Sequence, residues 1–131
     1  MKLVISEPGS KEAQTTVQAF LKRGFSLCTA DIALAESLNA IWKHTNIHKD
    51  LSPRDAKPAV RDLIKLHGKL EVVATSELAE ETATIAQNKN ITIYDASYVA
   101  ATQKLSATLL TSDRKLHGTA SDLTNARLLE S

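Results

Sequence analysis

The chain has 131 residues, with 16 Lys and Arg against 15 Asp and Glu, a formal charge of +1. That balance excludes a strongly basic protein that coats nucleic acid by charge alone, while leaving room for a local basic patch. Hydrophobic residues make up 43% and charged residues 24%, with four Gly and three Pro, which describes one ordinary globular domain and excludes a disordered or collagen-like chain.

Residues 1–5 are a short apolar piece closed by Ser6-Glu7-Pro8-Gly9-Ser10, where Pro-Gly marks a turn and Ser10 is placed to cap a helix. The spacing predicts a helix over 11–23, with Val17, Phe20 and Leu21 on one face and Gly24 at its left-handed C-cap. Residues 25–29 read as a strand. Asp31 then stands as N-cap of a helix to about residue 45, whose stripe of Leu34, Ala35, Leu38, Ile41 and Trp42 is expected to dock on the core.

Ser52-Pro53 opens the next helix, striped by Ala56, Val60, Leu63, Ile64 and His67, bent at Pro58 and closed by Gly68. A strand is expected over 70–74, then a helix capped by Ser76 to about residue 87, then a turn over 88–90. Thr92 to Asp95 has capping-box spacing ahead of an Ala-rich helix to residue 105. An apolar strand over 107–111 leads into Ser112-Asp113, an irregular polar stretch, and a last strand over 127–129. Strands alternating with helices predict an α/β fold, a parallel sheet covered by helices on both faces.

Several functions are excluded. No apolar run approaches the ~20 residues of a membrane span, and the first residues show none of the regions of a secretory signal, so the cytoplasm is the expected compartment. Cys28 is the single cysteine; it reads as a small buried apolar residue, and excludes an internal disulfide and a cysteine-rich zinc site. Of the four histidines only His44 and His48 have ligand spacing, with no third ligand in view. Gly-rich phosphate loops and the G-x-S-x-G pattern do not occur.

In parallel α/β sheets the ligand site lies beyond the carboxyl ends of the strands. Asp113 follows an apolar run by two residues, and Asp95 sits in the first turn of a helix. Two carboxylates converging there repel each other unless a proton or cation lies between them, and Mg²⁺ or Mn²⁺ prefers such oxygen ligands. Plainer roles stand beside this one. Asp95 can be half of a helix cap, Asp113 can cap a short turn over 114–117, and Glu36 lies with Asn39 and Lys43 on a polar, solvated helix face.

Taken together, four segments make the chain resemble a PIN domain, specifically the VapC-like toxin ribonucleases of prokaryotic toxin–antitoxin pairs: residues 3–10, 35–40, 91–100 and 109–116. The resemblance spans nearly all of residues 1–131 and implies one PIN-like three-layer α/β/α domain. It implies a metal-dependent endoribonuclease that hydrolyses single-stranded RNA with Mg²⁺ or Mn²⁺, paired with a small antitoxin and homodimeric. By the same resemblance Glu36, Asp95 and Asp113 match acidic metal-binding and catalytic positions; Lys43, Arg114 and Lys115 are candidates for RNA phosphate contacts beside their plainer reading as a solvated charge run. One departure matters: the family carries a further acidic residue at the end of a first strand upstream of the segment matching residues 2–5. The domain is therefore expected to be truncated at its N-terminus, with that strand missing or replaced by residues 1–5, and to bind metal and cleave RNA poorly. An alternative of another class is a degenerate PIN-fold module that acts through partner or RNA binding with little or no catalysis.

Overall fold

Five short strands, Lys2–Ile5 (β1), Ser26–Ala30 (β2), Glu71–Val73 (β3), Thr108–Thr111 (β4) and Asn125–Leu128 (β5), form one parallel sheet in the order β3-β2-β1-β4-β5. The computed structural model describes residues 1–8 and 11–129, so the expected cap at Ser10 lies outside the described residues. Among the described residues six α-helices connect the strands: Lys11–Lys22 (α1), Ile32–Trp42 (α2), Pro53–His67 (α3), Thr75–Lys89 (α4), Ile93–Lys104 (α5) and Arg114–Ser121 (α6). The result is the three-layer α/β/α arrangement expected from the alternation.

Because side chains alternate across a strand, β1 serves two cores. Val4, with Cys28 and Leu109, faces Ala96, Tyr98 and Val99 of α5 and Ile85 of α4. Leu3 and Ile5, with Leu27 and Leu110, face Ala13 and Val17 of α1 and Leu66 of α3. A strand covered on both faces must be apolar throughout, which is why residues 2–5 carry no polar/apolar alternation beyond Lys2. Its register sets Val4 opposite Cys28 on one side and Leu109 on the other. Residues 2–5 occupy the centre of the sheet, between β2 and β4.

Several local expectations are corrected. The stripe on α2 does not dock on the core: Ala33 is the residue it buries, Leu38 is 38% exposed and Trp42 is 50% exposed. The helix packs along α3 rather than flat on the sheet, and periodicity tells which face is apolar, not what covers it. On α3 the same holds for Ile64, which is exposed, while Leu66 is buried in its place.

Asp31 holds the N-cap position of α2, but its side chain makes no cap bond there. Its carboxylate accepts hydrogen bonds from the backbone N–H of Thr75 at 2.9 Å and the Thr75 hydroxyl at 2.5 Å, so it caps α4 from the neighbouring strand end, and Ser76 is one residue inside that helix. Pairing of Ala30 with Val73 brings these two strand exits together. The Thr75 bonds hold the Asp31 carboxyl below the usual carboxylate range. Finally, the stretch after Asp113 is not irregular: it contains α6, whose Leu116 and Ala120 lie four apart and are both buried.

Other expectations stand as drawn. Gly24 has φ +81°, Ser52 caps α3 by accepting from Asp55 N, and Thr92 caps α5 by accepting from Asp95 N. Cys28 is fully buried, and its thiol, which donates to Glu71 Oε2 at 3.3 Å, is pushed up to about 11, chiefly by burial. A thiol held so far from ionisation is a core residue, not a nucleophile.

Candidate active site

The central strands β1 and β4 leave the sheet at the same edge, with Ile5 in register with Leu110. Two residues beyond the end of β1 stands Glu7, and two residues beyond the end of β4 stands Asp113. The exits are tied together: Ser6 N donates to the Leu110 carbonyl at 3.1 Å, and the Ser112 hydroxyl donates to Glu7 Oε2. Asp113 is fixed by local chemistry, since its N–H donates to Thr111 Oγ1 at 3.1 Å and its Oδ1 accepts from Leu116 N at 3.0 Å, capping α6. The plainer reading of Asp113 as a cap is thus true, and the cap holds its carboxylate at the sheet edge.

Asp95 enters from the first turn of α5. Its carboxyl is raised above the ordinary aspartate value, first by burial and then by the negative charge of Asp113; the Thr92 hydroxyl and Lys115 pull the other way. Glu36 comes from the middle of α2, and its Oε1 accepts the hydroxyl of Tyr98 at 2.5 Å. Tyr98, 2% exposed on the buried side of α5, is pushed far above its ordinary value by burial, by its bond to and the charge of Glu36, and by the charges of Asp95 and Glu7. Glu36 is therefore more than one charge on a solvated face. Glu7, Glu36, Asp95 and Asp113 all line a single cleft of about 770 Å³.

Lys43 starts a wide, π-type helical turn (Lys43–Ile47) that continues α2, and Arg114 and Lys115 open α6; all three are exposed, and none is among the described residues lining the cleft. The rings of His44 and His48 lie 5.4 Å apart, and His44 Nδ1 bonds the Asp50 carboxylate. Sequence reasoning passed over Glu7, Tyr98 and this His44–Asp50 pair as site residues. For Glu7 the signal was available, because it stands at the same offset past β1 as Asp113 past β4. Tyr98 and Asp50 had none, since each acquires its role from a partner distant in the chain or across a loop.

Among the described residues no group of three or more His, Cys, Asp or Glu side chains is arranged to hold a metal ion. The coupled pair Asp95 and Asp113 is an all-oxygen donor set whose mutual repulsion a cation would relieve. Mg²⁺ binds through one or two carboxylates and keeps several waters, and carboxylates are the donors this pair offers in the cleft that Glu36 and Glu7 also line.

A parallel sheet with helices on both faces and carboxylates gathered beyond the ends of its central strands defines an α/β protein with an acidic strand-end site. The PIN domain family model matches residues 4–121, and the chain belongs to that family. It is 31% identical over 114 residues to Ribonuclease VapC3 of Pyrobaculum aerophilum, covering 87% of this chain and 83% of that one. Among solved structures it is similar to PAE2754 from Pyrobaculum aerophilum (TM-score 0.70, 24% identity, 90% of this chain and 84% of that one). The fold is shared with a toxin–antitoxin complex from Klebsiella pneumoniae (TM-score 0.65, 14% identity, 100% and 99% covered). It is shared also with VapBC2 of Rickettsia felis bound to a promoter DNA fragment (TM-score 0.62, 14% identity, 99% and 100% covered). No described helix is long and apolar enough to cross a membrane.

Proposed function

We propose that the protein is a divalent-metal-dependent endoribonuclease acting on single-stranded RNA, and the toxin of a pair completed by a small antitoxin protein. The observation that carries this reading is the coupling of Asp95 to Asp113 at the carboxyl edge of the sheet, in the cleft that Glu36 and Glu7 also line. Asp95 and Asp113 would hold Mg²⁺ or Mn²⁺ there. A bound ion of this kind supplies charge neutralisation at a phosphate and a more acidic water.

The chain's own residues supply position and proton acceptance. The helix caps at Thr92 and Asp113 lock both aspartates onto rigid elements, and Tyr98 fixes one oxygen of Glu36, leaving the carboxylate oriented to accept a proton or hydrogen bond from water in the cleft. Lys43, Arg114 and Lys115, exposed and not among the cleft-lining residues, would add RNA phosphate contacts. The antitoxin rests on the likeness to proteins solved as toxin–antitoxin complexes, and self-association as a homodimer belongs to the same proposal.

A second reading, a PIN module that binds without cutting, is favoured by the lack, among the described residues, of a metal-holding group of three side chains. Incubation of the purified protein with a single-stranded RNA separates the two. Cleavage in Mn²⁺ or Mg²⁺ that stops in EDTA is the expected result. RNA that is bound but left intact in both metals would establish the second reading instead.

A further inference from the structure

The cleft poses an electrostatic problem for a polyanion. Six of the described residues that line it are acidic, Glu7, Glu36, Asp50, Asp62, Asp95 and Asp113, and His44 is the one basic side chain among them. A cation between Asp95 and Asp113 offsets charge at that point only. Eight residues along the helix from Glu36, at 1.5 Å per residue, His44 stands about 12 Å from it, so it meets a different part of any strand lying in the cleft.

The segment around His44 is built to hold that side chain. Its Nδ1 lies 2.9 Å and 3.1 Å from the two carboxylate oxygens of Asp50. Its carbonyl accepts from both Asp50 N (3.1 Å) and Leu51 N (3.2 Å), closing the loop on His44 from the main chain as well. The backbone there is unusual twice over. Residues Lys43–Ile47 form a π-type turn, which re-aims side chains relative to the preceding helix, and Lys49 adopts φ +56°, a left-handed conformation that is costly for a non-glycine residue.

We propose that His44, oriented by Asp50, is a substrate-binding residue that donates from Nε2 to an RNA phosphate further along the strand from the one at Asp95 and Asp113. With Nδ1–H committed to Asp50, protonation places the second N–H on Nε2, the arrangement a phosphate oxygen accepts from. The His44 bond also holds the Asp50 carboxyl below its ordinary value, so the counter-charge for a protonated ring is in place. This assignment rests on the ribonuclease reading for the identity of its ligand.

The test measures equilibrium binding of a fluorescent single-stranded RNA oligonucleotide, with Ca²⁺ present in place of the catalytic metals, alongside KM and kcat in Mn²⁺. It uses the full chain and its His44→Gln, His44→Arg and Asp50→Asn variants. A charge-assisted hydrogen bond predicts that His44→Gln weakens binding and raises KM by about tenfold, with the loss falling on KM rather than kcat. His44→Arg restores binding, and Asp50→Asn shows a smaller loss in the same direction. His44→Gln binding as tightly as the parent, or His44→Arg failing to restore binding while melting normally, overturns the assignment and leaves the ribonuclease reading intact. RNA binding that depends on His44 without any cleavage in Mn²⁺ supports the assignment and overturns the ribonuclease reading; a parent protein that binds no RNA overturns both.

Discussion

Asp113→Asn is expected to slow cleavage of a single-stranded RNA in Mn²⁺ by about a hundredfold or more, because it removes one of the two carboxylate charges assigned to the ion. The substitution is chosen for what it preserves. Asp113 caps α6 through Oδ1 and Leu116 N, and asparagine serves as well as aspartate in that role, so the melting temperature should stay near the parent value. Single-turnover cleavage and thermal melting, measured on the same preparations, separate chemistry from folding. Parent-like cleavage by a well-folded Asp113→Asn protein would remove Asp113 from the metal site.

Ile5→Ala is expected to cost about 2–5 kcal/mol of folding stability, the range for emptying a large aliphatic side chain from a close-packed core. Ile5 is 1% exposed, on the central strand, and packs with Leu110 and the helices on that face. Set against the ~5–15 kcal/mol by which domains are stable, this is a large fraction, and urea unfolding will show it as a lowered midpoint. Were residues 2–5 a loosely attached tail, the midpoint would not move. The same experiment therefore tests whether β1 is the centre of the sheet in solution.

Much of the architecture was legible because it depends on local signals. Gly24 and Thr92 mark helix ends through their own backbone and side-chain chemistry, and the alternation of apolar runs with helical spacing implies a parallel sheet. Asp113 could be singled out because strand ends in parallel sheets face the ligand side. What stayed hidden depends on partners distant in the chain. Four residues of β1 are too few to carry a period, and only pairing with β2 and β4 makes them a strand. Asp31 caps a helix that starts 44 residues later. Trp42 carries the apolar signal of a core residue yet stands half exposed, because α2 lies along α3 and presents that edge outward. Glu36 reads as surface on its own helix, and only the packing of α5 brings Tyr98 to it.

The central claim, that Asp95 and Asp113 jointly hold a divalent ion, has an expected signature in stability as well as in activity. A carboxyl whose folded-state value lies above its unfolded one contributes stability at pH below the unfolded value and loses it as pH rises through the folded value. As pH rises through the folded value, ionisation of Asp95 beside the negative charge of Asp113 therefore weakens the metal-free fold. Asp95→Asn removes that repulsion while keeping an acceptor for the Thr92 hydroxyl, so the metal-free variant should melt at or above the parent. An ion bound between the aspartates then stabilises the parent by mass action, about 2.7 kcal/mol at a hundredfold excess over Kd. The decisive measurement is the melting temperature of parent and Asp95→Asn at neutral pH, with EDTA and with Mn²⁺. A rise with Mn²⁺ is expected for the parent and little or none for the variant; a parent indifferent to Mn²⁺, or a variant that gains as much from it, would mean that no ion binds between Asp95 and Asp113.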